Sequence, residues 1–174
     1  MTANEDDHGW FGMDWDAHGP VGAGRDDWDG WEIDDDGPDD DLPPGPNEPL
    51  RGTDDALALL LGLVGPERAG PPALWFVLVD AQGCTLPVVL PIVDVPDRAD
   101  PLVVHRLFEV LASVLAEDGP GGSVLIGLVR AAGGDRGAFE SSWADALREG
   151  ADAVGLRIWA TAAIGEDRAR VLEW

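Results

Sequence analysis

The chain reads as an α/β protein: a single small α/β sandwich of element order α-β-β-α-β-α-β, with a mixed, mostly parallel sheet of about four strands behind an acidic tail. Three observations predict this. From residue 53 onward, apolar runs of strand length alternate with amphipathic stretches of helix length. The stretches between them are turn-forming, as in DAQG, GPGG and AAGGDRG. Residues 1–52 have a different composition, with 16 acids and two bases, a net of −14 out of −23. High charge with few aliphatic side chains cannot bury enough surface to offset the entropy of ordering. Residues 1–52 are therefore expected to be a disordered tail ending in the semi-extended spacer LPPGPNEP, and 53–174 to be the domain.

Thr53 or Asp54 can N-cap a helix through ALALLLGLV, which Gly65-Pro66 stops. Leu74–Val79 and Leu86–Val93 then read as a β-hairpin turning at Asp80–Gly83. Pro87 and Pro91 stand on one side of the second strand and cannot donate to a neighbour, which places part of that strand at a sheet edge. Asp100-Pro101 supplies an N-cap and an N1 proline for a helix to about Glu117, with Val103, Leu107, Val110, Leu111 and Val114 expected on its apolar face. SVLIGLVR (123–130) is a strand covered on both faces. The helix from about Ala138 to Val154 follows, with the stripe Phe139, Trp143, Ala146, Leu147 and Val154. Leu156–Ala163 is the last typed strand, and RARVLEW is left as a further short element of undefined type. Right-handed crossovers through the two helices make the last three strands parallel, with the first antiparallel to its hairpin partner.

Composition removes several classes of function. All 11 basic residues are arginine, which excludes lysine Schiff-base chemistry and a lysine-bearing P-loop. A charge of −23 repels nucleic-acid backbones and anionic membranes. The single Cys84 excludes an intrachain disulfide, and no basic neighbour activates it. MTANEDDHG lacks the features of a signal peptide, and the longest apolar run, LALLLGLVG, is about half a membrane span, so a cytoplasmic location is expected. His8, His18 and His105 have no ligand spacing, so no metal, cofactor or catalytic residue is assigned.

Two candidate sites remain. If the second, third and fourth strands are adjacent, their carboxyl ends bring Asp94, Arg130, Glu166 and Asp167 toward one edge, where such sheets collect ligands. The loop after Arg130 carries Arg136 and an Ala132-Gly134-Gly137 pattern, a degraded dinucleotide fingerprint whose amides face a helix start. It follows the third strand, not the first, and lacks the downstream ribose-binding acid, so a glycine-rich connector is the simpler reading. The second candidate is the tail, whose segments GWFGMDWDAHG and RDDWDGWEIDD each contain Asp-Trp-Asp. Disordered segments are normally poor in aromatics. Trp10, Phe11, Trp15, Trp28, Trp31 and Ile33 therefore read as anchors, kept solvated by carboxylates, for a protein partner with a basic or apolar groove, or for the protein's own domain.

The segments RGTDDALALLLGLVGPE and LWFVLVDAQGCTLPVVLPI, together with Arg130, Gly134 and Trp143 in the second crossover, carry a resemblance. From Arg51 to about Ala163 the chain resembles uncharacterised α/β proteins of actinobacteria. The resemblance implies a fold and a GC-rich bacterial source, and it transfers no functional residue. The resulting expectation is a non-enzymatic interaction protein with an acidic tryptophan-bearing arm. Its alternatives are an enzyme binding a small ligand or nucleotide at the strand ends, and an acidic mimic of nucleic acid.

Overall fold

The computed structural model describes residues 48–173. The six tail anchors, Trp174 and the expected disordered tail up to residue 47 lie outside the described residues. The elements are α1 (Thr53–Val64), a 3₁₀ turn (Gly65–Ala69), β1 (Ala73–Val79), β2 (Thr85–Val93), α2 (Pro101–Asp118), β3 (Ser123–Val129), α3 (Ala138–Val154), β4 (Arg157–Ile164) and β5 (Ala169–Glu173).

The α/β class is as expected, but the sheet differs from the expected one in two respects. It has five strands in the order β2-β1-β3-β4-β5, because RARVLEW turns back at Gly165–Arg168 and adds β5 antiparallel to β4. It is also largely antiparallel: β1 lies antiparallel to both β2 and β3, leaving β3–β4 as the one parallel pair. The strands β2, β3 and β4 do run in one direction, yet β1 separates the first from the other two. Apolar content explains the insertion. All seven residues of β1 (ALWFVLV) are buried, so β1 takes a central position covered on both faces, and the proline-bearing β2 is left at the edge.

Alternation on the central strands sorts side chains into two layers of core. Leu74, Phe76, Leu78, Val124, Ile126 and Leu128 face α2 and α3. Trp75, Val77, Leu125 and Val129 face α1, which buries Ala56, Leu60 and Val64. Leu50 extends this second layer upstream of α1: it is buried, its N–H donates to Gly83 O at 2.9 Å, and Pro49 bridges Cys84.

Helix starts follow the local chemistry. Asp100 caps α2 by accepting the Leu102 N–H at 2.9 Å, with Pro101 at N1. The N-cap of α1 is Gly52 instead of Thr53 or Asp54, and the Asp55 carboxylate accepts from the Arg51 backbone and guanidinium just upstream. The inward face of α2 is offset by one residue from the expected one. Val104, Phe108, Leu111 and Leu115 are buried, whereas Val103 and Val110 are 61% and 59% exposed. The helix bears two adjacent apolar stripes. The one containing Phe108, its largest side chain, faces inward, and Leu107 and Val114 lie half-buried at the margin. Among the described residues, no helix is long and apolar enough to cross a membrane.

Candidate functional site

Parallel pairing of β3 with β4 sets the β3–α3 loop beside the β4–β5 turn. Backbone groups join them: Arg130 N–H donates to Ile164 O at 3.0 Å, and Glu166 N–H donates to Ala131 O at 3.0 Å. The contact is close enough to demand glycine. A Cβ on Gly134, whose φ is +85°, would stand 2.1 Å from Arg168 O. The Arg168 side chain then reaches across, its Nε donating to Gly133 O at 3.2 Å.

The position that an anion would take at the start of α3 already holds a carboxylate. Glu140, at N3 of the helix and 1% exposed, accepts the Gly137 N–H through Oε2 at 3.1 Å. The guanidinium of Arg130 donates to Glu140 Oε1 at 3.2 Å and lies over the Phe139 ring, 5.3 Å from its centroid. This half-buried ion pair, with its helix N-terminus and cation–π contact, neutralises the charge that a phosphate would need. Arg130 Nε has no hydrogen-bond partner among the described residues.

The other arginines of this region also act as staples. Arg170 pairs with Asp135 at 2.9 Å, and the Arg136 backbone N–H, followed by Arg170, holds the Asp135 carboxyl below its ordinary value. Arg136 donates to Leu172 O at 3.3 Å. Arg148 makes an ion pair with Glu173, so α3 clasps β5; this hydrogen bond is the chief cause of the lowered Glu173 pKa and the raised Arg148 pKa.

The expected ligand residues are thus only partly brought together. Arg130, Arg136 and Gly137 line one small depression, with Gly134 packed against Arg168 at its side and Glu166 and Asp167 exposed on the adjoining turn. Asp94 is apart, at the end of the edge strand beyond β1, exposed and with φ +57°. A depression of about 550 Å³ opens beside the cluster, lined by Asp97, Arg98, Arg130, Phe139 and Ser142. Among the described residues no group of three or more metal-ligating side chains converges.

Sequence reasoning missed Glu140, although a glutamate three residues after the glycine at a helix start was a usable sign that its carboxylate caps the Gly137 N–H. It also missed an apolar groove between α2 and β2. That groove encloses about 380 Å³ among Leu74, Ile92, Val95, Val104, Leu107 and Trp143, and the Trp143 indole N–H is satisfied by Pro96 O at 2.9 Å.

No family model, curated protein or solved structure matches the chain.

Proposed function

We propose that this is a cytoplasmic, non-enzymatic interaction protein. Its acidic arm engages a protein partner through Trp10, Phe11, Trp15, Trp28, Trp31 and Ile33, and its α/β domain serves as a scaffold. The observation that carries the reading is the self-occupied strand-end cluster: Glu140 fills the helix N-terminus and Arg130 is committed to it. A ligand-binding enzyme would need those groups open toward substrate. The aromatic content of the arm supplies the positive side, since indoles flanked by carboxylates are a composition suited to short binding segments.

The test compares the full chain with a variant carrying Trp10→Ala, Trp15→Ala, Trp28→Ala and Trp31→Ala. The expected outcome is an unchanged melting temperature with loss of a partner captured by the full chain. A markedly lowered melting temperature sinks the reading in favour of an arm whose indoles serve the protein's own fold. The enzymatic alternative would draw support from the 550 Å³ depression beside Arg130. A thermal-shift screen with nucleotides and divalent metals addresses it, and the expected result is no shift with any of them.

A further inference from the structure

Six large hydrophobic side chains are exposed among the described residues, and five of them, Val89, Val93, Leu102, Val103 and Val110, lie on β2 and α2. Two of them, Val93 and Val103, line the 380 Å³ groove, whose floor is Leu74, Ile92, Val95, Leu107 and Trp143, and Val110 stands two turns along α2 from Val103 on the same stripe. Exposed apolar surface therefore continues past the concavity along its α2 bank, which suits a macromolecular surface better than a small apolar molecule.

Backbone chemistry narrows the mode of contact. Pro91 stands opposite Trp75 in the ladder and has no N–H to give, so that pair is a non-hydrogen-bonded one and Pro91 presents its donor-less side to the open edge. Pro87 lacks a donor as well. An added strand would meet an interrupted edge, so the contact is made by side chains entering the groove, as when an amphipathic helix docks.

Charge narrows the occupant. The groove is lined by two ionisable side chains, Asp94 and Asp100, both acidic and exposed. Next to them on the same loop stand Asp97 and Arg98, both exposed. On α2, Arg106 is neutralised by Glu109 at 2.7 Å, with His105 3.5 Å from the same carboxylate. The rim is thus net negative on a domain that is itself acidic. A second copy brings the same negative rim and repels, while a basic segment is attracted.

We propose that the α2–β2 groove receives a cationic amphipathic helix of a partner protein. Its apolar anchors, at i, i+3/i+4 and i+7, sit between Ile92 and Leu107, and its arginines or lysines face Asp94, Asp97 and Asp100. This site is independent of the arm and stands or falls without it.

The experiment uses the full chain labelled with ¹⁵N and reads the Trp143 indole N–H, assigned by Trp143→Phe. The probe is a synthetic four-turn helical peptide with leucines at the stated spacing and arginines elsewhere. Two controls replace all its leucines by serine or all its arginines by glutamate. The expected result is a saturable shift of the Trp143 indole and of the Val103 and Val110 amides, with affinity roughly tenfold or more above either control. Val103→Asp, a surface change that leaves the fold intact, abolishes the shift, and Asp94→Asn weakens binding. Equal binding of the serine control overturns the proposal in favour of unspecific charge attraction. Peptide binding that leaves the Trp143 signal unmoved overturns it by placing the contact elsewhere. Groove signals that respond to protein concentration and not to peptide overturn it in favour of a second copy.

Discussion

At the scale of single residues, the Arg130–Glu140 pair is asymmetric. The Glu140 side chain is 1% exposed and that of Arg130 32%, so only the arginine can recover hydration when its partner is lost. Arg130→Ala strands a buried carboxylate and is expected to cost about 3–5 kcal/mol. Glu140→Gln is expected to cost less, about 1.5–3 kcal/mol, because it removes a charged hydrogen bond without burying a lone charge. Urea denaturation of the two variants checks the order; a reversed order would mean that Arg130 is held by something other than Glu140. Glu173 gives a pH dependence. Its carboxyl lies below the ordinary value of 4.5, first through the Arg148 hydrogen bond. The resulting stability is fully present above that value and is lost as pH falls through the lower folded-state value. Arg148→Ala is therefore expected to lower the melting temperature at neutral pH and to flatten its decline below about pH 4.5, where in the unsubstituted protein the unfolded chain takes up the proton before the folded one does.

At the scale of elements, α2 and α3 cross at Gly150, where an added Cβ would come within 2.7 Å of Val104 Cγ1 and 3.0 Å of Phe108 Cδ2. Helix propensity favours alanine over glycine by about 1 kcal/mol, and overpacking opposes it by about 1–3 kcal/mol. The clash lies in a core with no slack, so Gly150→Ala is expected to lower the urea midpoint; a raised midpoint would mean that the helices can move apart. The same contrast between local preference and packing separates what was legible in the sequence from what was not. The strands 73–79 and 123–129 and all three helices could be read because their apolar patterns have clear periods and clear stops. Strand adjacency could not, since hairpin and crossover rules set direction but do not say whether β1 or β2 lies next to β3. The inward stripe of α2 was ambiguous because two apolar stripes run side by side, and only the depth available to Phe108 decides between them. At the candidate site, Arg130 and its glycines were visible as a strand-end loop. Their closure by Glu140 and Arg168 was not, because it depends on contacts ten and 35 residues apart in sequence.

At the scale of the whole molecule, charge and apolar surface are arranged around the same need. The described domain is an acidic body with an apolar groove between α2 and β2, and its polar strand ends are satisfied internally by arginine staples. Exposed apolar surface on an edge strand carries a risk as well as a use, because open edges template strand-to-strand growth between molecules. Here Pro91 interrupts the row of donors where Val89 and Val93 are exposed beside it. Pro91→Val would restore a continuous β-forming segment, LPVVLVIV, with an unbroken outer donor row beyond residue 87. This variant is expected to form thioflavin-positive aggregate at concentrations where the unsubstituted protein stays clear, with little change in melting temperature. The two prolines of the edge strand are thus placed where gatekeepers stand, and the Pro91→Val variant reads whether exposed valines on an open edge need them to avoid seeding fibrils.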